Sequence, residues 1–163
     1  MSKLIAVADA GPLRYLIEIS QIEILSQLFD EVLISQAVFG ELSKDATPST
    51  VRRWVFNPPA WLKVIDITRT HQFHPALHAG ECEAMELALS ISCGVILMDE
   101  RDGCKQAKRF GLSPMGTLGL LEQADKLGLL RDFEATVAAL RSTNIRVTDL
   151  LVTQLLDRHR KRN

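Results

Sequence analysis

The sequence has 163 residues, of which 47% are hydrophobic and 24% charged, with a formal net charge of −1. That length suits one domain burying roughly two-thirds of its unfolded surface, and the near-neutral charge excludes a globally basic field for polyanions. No apolar run nears the ~20 residues of a membrane span, and the stretch after Met1, Ser2 and Lys3 breaks at Asp9, too short for a signal peptide, so a cytoplasmic chain with no membrane partner is expected. Residues 4–8 are an unbroken apolar run ending in Asp9-Ala10-Gly11-Pro12, the pattern of a strand buried on both faces, then a turn and a helix start. Helical spacing follows at about 13–19 and 21–29. A second strand is expected at 31–35, with Ser35 capping a helix over 36–44. Thr47-Pro48 opens a helix to about 56, with the proline at its first position.

A third strand is expected at 62–67, while 68–78 has no period and reads as a loop. Strong helical spacing covers 79–92, and 95–98 is another buried strand, closed by Asp99. Helices at about 102–110 and 117–127 flank a short strand near 113–116. The remainder is helical at 131–141 and 148–160, the latter capped by Thr148. Strands alternating with helices define an α/β fold: a single domain over 1–163, Rossmann-like, with a central parallel sheet of four to five strands flanked by helices on both faces. Residues 131–163 form a C-terminal helical extension. Cys82, Cys93 and Cys104, odd in number and without metal-type spacing, read as reduced thiols.

Two apolar strands end in an aspartate, Asp9 and Asp99, and open parallel sheets gather functional groups at the carboxyl ends of their strands. Each aspartate also suits capping of the next helix. Glu41 shares a helical stripe with Ala37 and Val38, and Glu81 shares one with Ala84, Met85 and Ala88. Glu83, Glu86 and Ser90 fall on the opposite side, toward solvent. A carboxylate on an apolar stripe needs a partner, because burying an unpaired charge costs several kcal/mol. Glu81 has no Lys or Arg at i±3 or i±4, and Glu41 has only Lys44, at the end of its helix. A shared cation satisfies all four acids, and oxygen-only ligands favour Mg²⁺ or Mn²⁺ over Zn²⁺. The alternative is that the glutamates sit at the helix periphery and reach water.

Positive charge for a substrate is available from Arg101, Lys105 and Lys108, helically spaced after Asp99, with Arg109 beside them. Arg52 and Arg53 adjoin Trp54, a stacking face. Solvated helix faces give the same patterns. Thr117 is placed to bond a carboxylate or a phosphate, or to cap its helix. Trp54 and Trp61, flanking Pro58-Pro59, read as packing residues, and the basic run 158–162 reads as a frayed tail.

Four segments resemble the PIN-domain family, in particular the prokaryotic branch of VapC-like toxin ribonucleases. They are Val7-Ala8-Asp9-Ala10-Gly11-Pro12-Leu13, Val38-Phe39-Gly40-Glu41-Leu42, the stretch from Gly80-Glu81 to Ala88, and the stretch from Val95 to Asp102, continued by Gly116-Thr117-Leu118-Gly119. Their order and separation cover residues from about 4 to 130. The resemblance implies a metal-dependent ribonuclease in which Asp9, Glu41, Glu81 and Asp99 hold Mg²⁺ or Mn²⁺ and hydrolyse RNA. It makes Asp102 a further or water-mediated metal ligand, unless that residue only caps its helix, and Arg101, Lys105 and Thr117 substrate contacts. It also implies a toxin with a small antitoxin partner, and a homodimer, for which the helices at 13–29 offer either a face or ordinary core. Three positions depart from the pattern. Ala10 and Gly11 supply no hydroxyl where many relatives carry Thr or Ser, Cys104 stands where Arg is expected, and Glu81 stands where many relatives have Asp.

A different class of function is a non-catalytic RNA- or protein-binding module with a residual acidic metal site. His71, His74 and His78 do not read as a zinc site, since Pro75 interrupts any helix aligning them and no cysteine or acid completes a tetrahedral set. An acidic-pocket phosphohydrolase would carry D-x-D after the first strand, where Gly11 stands, and no Walker or dinucleotide loop is present.

Overall fold

Strand β1 (Ile5–Ala8) turns Ala6 and Ala8 to one face of the sheet and Val7 to the other, and all three are fully buried. The same alternation holds in β2 (Glu31–Ser35), where Val32 and Ile34 oppose Leu33, and in β4 (Val95–Leu97), where Leu97 opposes Ile96. A strand buried on both faces must be covered on both, so the sequence needs helices on each side. The computed structural model describes residues 3–163, leaving Met1 and Ser2, the start of the segment judged too short for a signal peptide, outside.

The chain runs β1, α1 (Ala10–Glu18), α2 (Ile24–Leu28), β2, α3 (Gln36–Leu42), α4 (Ser49–Phe56), β3 (Leu62–Ile65), α5 (Ala79–Ser90), β4, α6 (Arg101–Arg109), β5 (Ser113–Met115), α7 (Thr117–Lys126), α8 (Phe133–Arg141) and α9 (Asp149–Arg162). The α/β expectation holds: five parallel strands lie in the order β3-β2-β1-β4-β5. One core, against Ala6, Ala8, Val32 and Ile34, includes Leu13 and Leu16 of α1, Val51 of α4, Leu120 of α7, Phe133 of α8 and Val152 of α9. The other sets Val7, Leu33 and Ile96 against Met85, Leu87 and Ala88 of α5 and Ala107 of α6. Among the described residues no helix is long and apolar enough to cross a membrane.

The strand order positions the site. From β1 the chain steps outward to β2 and β3, then returns to the other side of β1 as β4. Crossovers on the two sides diverge, leaving a crevice at the carboxyl ends of β1 and β4. There the Asp9 amide donates to the Leu97 carbonyl at 2.8 Å, bringing together the ends that carry Asp9 and Asp99.

Several local expectations are corrected. Pro48 is itself the N-cap of α4, because the Thr47 hydroxyl is drawn 2.9 Å to the Glu41 carbonyl. The 21–29 helix shortens to α2, whose Ile24 and Leu25 are buried in the core with Leu13. Glu86 does not face solvent: the 66–78 segment folds across that side of α5, leaving Glu86 3% exposed and accepting from Thr70 and His71. Glu83 accepts from the Ala37 amide at the start of α3. The basic C-terminal run is no frayed tail. Arg158 pairs with Glu122 and Arg162 with Asp125, each at 2.6 Å, Arg160 pairs with Glu134 at 2.9 Å, and the His159 ring stacks on Phe133.

Candidate metal centre

Asp9 occupies the N-cap position of α1 without making a side-chain cap hydrogen bond, and Glu100, not Asp99, is the N-cap residue of α6. Simple capping therefore explains neither aspartate. Asp9 is 5% exposed, and its Oδ1 is buried with no hydrogen-bond partner. An orphaned carboxylate oxygen in that position costs more than a lost hydrogen bond, so the fold holds it against a penalty. Burial is the main cause that lifts its pKa from 3.8 to about 7; the Ala10 amide opposes the rise, Glu41 and Glu81 add repulsion, and His78 offsets part of it.

Glu41 comes from α3, whose start is fixed by the Ser35 hydroxyl accepting from the Val38 amide. Glu81 is the third residue of α5 and is 4% exposed. Burial raises its pKa, with His78 and the His78 amide opposing. Asp99 accepts two bonds from Thr117, one from the amide and one from the hydroxyl, both at 2.7 Å. Burial still leaves its pKa raised. Three glycines make room for these acids: a side chain on Gly80 would collide with Glu41, one on Gly103 with Glu81 Oε2, and one on Gly116 with Asp99 Oδ1.

His78 is the residue that sequence reasoning missed. It caps α5, with Nδ1 accepting from the Glu81 amide at 3.4 Å while the Glu81 carboxylate accepts from the His78 amide at 3.3 Å, a reciprocal capping box. Its ring also lies between two acids, Nδ1 at 3.2 Å from Glu41 Oε1 and Nε2 at 3.0 Å from Glu81 Oε1. Acids therefore do meet two of the three histidines, Glu86 at His71 and Glu41 with Glu81 at His78, contrary to the sequence reading; the signal available at His78 was a cap residue three positions before Glu81. Ligand atoms of Asp9, His78 and Glu81 lie within 4.8 Å of one another.

The acids open onto a cavity of about 200 Å³ whose lining includes Asp9, Glu41, His78 and Asp99, with Arg14 and Tyr15. An orphaned oxygen on Asp9, ligand atoms of Glu81 and His78 within 4.8 Å, and glycine-cleared space fit a divalent cation, while Glu41 and Asp99 line the cavity outside that closest set. With an imidazole in reach the donor set is no longer oxygen-only.

Other expected site residues lie elsewhere. Asp102 is exposed and lines a separate groove with His74, Lys105, Gln106 and Arg109. Arg101 opens the adjoining side of α6, toward Tyr15, Asp99 and Glu100. Thr117 is fully buried, with both donors engaged by Asp99. Trp54 packs on Trp61 at 5.8 Å against the core. All three cysteines are free.

A PIN-domain family model matches residues 5–161. The chain belongs to the PIN-domain family. PIN domains are typically metal-dependent nucleases, and the acidic centre lies within the matched region. A PilT N-terminus domain protein from the hyperthermophilic archaeon Sulfolobus solfataricus P2 is similar in fold, with a TM-score of 0.52 at 13% identity, covering 89% of this chain and 100% of that one. No curated protein matches the sequence.

Proposed function

We propose that this PIN domain is a Mg²⁺- or Mn²⁺-dependent endoribonuclease whose cation is held by Asp9, Glu41, Glu81 and Asp99, with His78 beside them. The observation that carries the reading is the buried, partnerless Oδ1 of Asp9, a residue that lines one cavity with Glu41, Asp99 and Glu100. A divalent cation bound there supplies Lewis acidity, easing deprotonation of water and neutralising charge on a phosphodiester.

The protein's own groups do the rest. Thr117 holds the Asp99 carboxylate in one orientation through its two donors. The Asp9 carboxyl, its pKa raised to about 7 chiefly by burial, would hold the cation in its ionised form. Arg101 and Lys105, both exposed on α6, are the expected phosphate contacts. Asp102, which lines a separate groove, stands outside the set that would hold the cation.

Thermal melts with and without Mn²⁺, followed by cleavage of a defined RNA pool, test this reading. Mn²⁺ should raise the melting temperature, RNA should be cut only in its presence, and Asp9→Asn and Asp99→Asn should each abolish cutting. Full activity in either variant removes the assignment.

One observation favours a second reading. The His78 ring, 3.2 Å from Glu41 and 3.0 Å from Glu81, gives both glutamates a protein partner without a metal, as a non-catalytic RNA- or protein-binding module with a residual acidic site would require. No metal-induced shift in melting temperature, with RNA binding retained, decides for it. The toxin role, with a small antitoxin in the acidic cavity and a homodimer, rests on the VapC-like resemblance. Growth arrest on expression, relieved by Asp9→Asn, and the mass in solution are its tests.

A further inference from the structure

The acidic cavity does not end at Asp99. Tyr15, Asp99 and Glu100 line it and also line a neighbouring space of about 640 Å³, whose remaining walls are Arg101 and the run Asn144, Ile145 and Arg146. The first space is rich in acid and repels a polyanion; the second adds two arginines. Arg101 and Arg146 are both exposed, and neither has a carboxylate within ion-pair distance among the described residues. Other arginines near the site are engaged: Arg14 with Glu18 at 3.5 Å, and Arg158 with Glu122.

The loop that carries Arg146 is held in place from a distance of 130 residues. Arg14 Nη2 donates to Asn144 Oδ1 at 2.7 Å, tying the α8–α9 connection to α1 beside the metal centre. Arg141 and Asp149 pair across the base of the same loop, and the Ile145 amide donates to the Thr143 hydroxyl. A long, flexible cation is thus mounted on a tethered loop over a cavity that shares a wall with the acids. Guanidinium groups suit phosphate because their planar donors match two of its oxygens.

Resting on the ribonuclease reading above, we propose that Arg146 and Arg101 form a phosphate subsite for the nucleotide adjoining the scissile one, and that the Arg14–Asn144 clip positions it. The C-terminal segment is then one wall of the substrate groove and not an appendage to the domain.

The test is fluorescence anisotropy of a short fluorescein-labelled single-stranded RNA, titrated with full-length protein in EDTA over a range of KCl concentrations, with Mn²⁺-dependent cleavage of the same RNA measured in parallel. Arg146→Ala should weaken binding about tenfold and reduce the slope of log Kd against log salt by about one. In cleavage, KM should rise with kcat little changed, because the contact is made equally in ground and transition states. Arg146→Lys should recover the salt slope and part of the affinity. Asn144→Ala should weaken binding by a smaller factor at an unchanged salt slope, since no charge is removed. Arg131→Ala, an exposed cation on the α7–α8 connection, serves as the control. Wild-type protein that binds RNA and cleaves it, with Arg146→Ala matching it in Kd and slope, overturns the subsite and leaves the ribonuclease reading intact. Wild-type protein that neither binds nor cleaves RNA overturns both.

Discussion

Replacing Asp9 by Asn perturbs the group that the fold holds at greatest electrostatic cost. In the folded chain its carboxyl titrates near 7, against 3.8 when unperturbed. A carboxyl whose folded pKa is raised contributes stability that is fully present below pH 3.8 and is lost as the pH rises through 7. At about 1.4 kcal/mol per pH unit, that interval corresponds to roughly 4 kcal/mol of destabilisation in the ionised, metal-free protein. Asparagine keeps the shape and removes the charge, and its amide can donate to a neighbouring carboxylate. At pH 8 in EDTA, Asp9→Asn should therefore be more stable than wild type by about 2–4 kcal/mol, or roughly 5–15 °C in melting temperature for a chain of this size. At pH 4 the two proteins should melt together, because the wild-type carboxyl is then neutral.

Metal should close the gap or reverse it. A cation at a hundred times its Kd adds about 2.7 kcal/mol to the protein that binds it. Mn²⁺ at pH 8 should lift wild type toward or above the variant and leave the variant where it was. Differential scanning calorimetry at pH 4, 6 and 8, with EDTA and with Mn²⁺, reads all of these quantities. If Asp9→Asn is the less stable protein at pH 8 in EDTA, or if its difference from wild type does not change with pH, the strained-carboxylate reasoning is refuted.

Two further changes probe the supports of the site. Glu86 accepts from the amide and hydroxyl of Thr70 and from the amide and ring of His71, and although burial alone would raise its pKa, these bonds lower it below 4.5. Its stabilisation is thus present above pH 4.5 and lost as the pH falls below. Glu86→Gln should destabilise by about 2–3 kcal/mol at pH 7, with the gap narrowing toward pH 3, and should expose the 66–78 segment to protease; an equal gap in urea melts at both pH values defeats this. Thr117→Val keeps the buried volume and the amide donor and removes the hydroxyl from Asp99. It should weaken Mn²⁺ binding about tenfold with the fold intact, as loss of one hydrogen bond to a charged group predicts, and calorimetric titration showing unchanged affinity would count against the orienting role.

How much of this was legible in the sequence depends on the range of the interaction that decides it. Strand faces and the Ser35 and Thr148 caps are local, and the alternation of apolar runs with helical spacing carries them. Glu81 was legible because an acid on an apolar stripe is a contradiction that only a special environment resolves, whereas Glu41, on a similar stripe, keeps 31% of its side chain exposed. The converse inference failed at Glu86. An acid off the stripe was read as exposed on the assumption that α5 buries one side, whereas the 66–78 segment covers the other. Position on the stripe is evidence of burial; position off it is not evidence of exposure.

His78 was hidden for a related reason. It lies at the end of an aperiodic segment, and its meeting with Asp9 and Glu41 depends on β1 lying between β2 and β4, an order that alternation does not encode. Arg146 is hidden more deeply still, since its place is set by a clip to Arg14 on the first helix. The pattern across these residues is consistent. Buried carboxylates betray themselves locally through the misfit of charge on an apolar stripe. The groups that surround them, His78, Thr117 and Arg146, carry no misfit of their own, because each is an ordinary residue until the fold brings it to the acids.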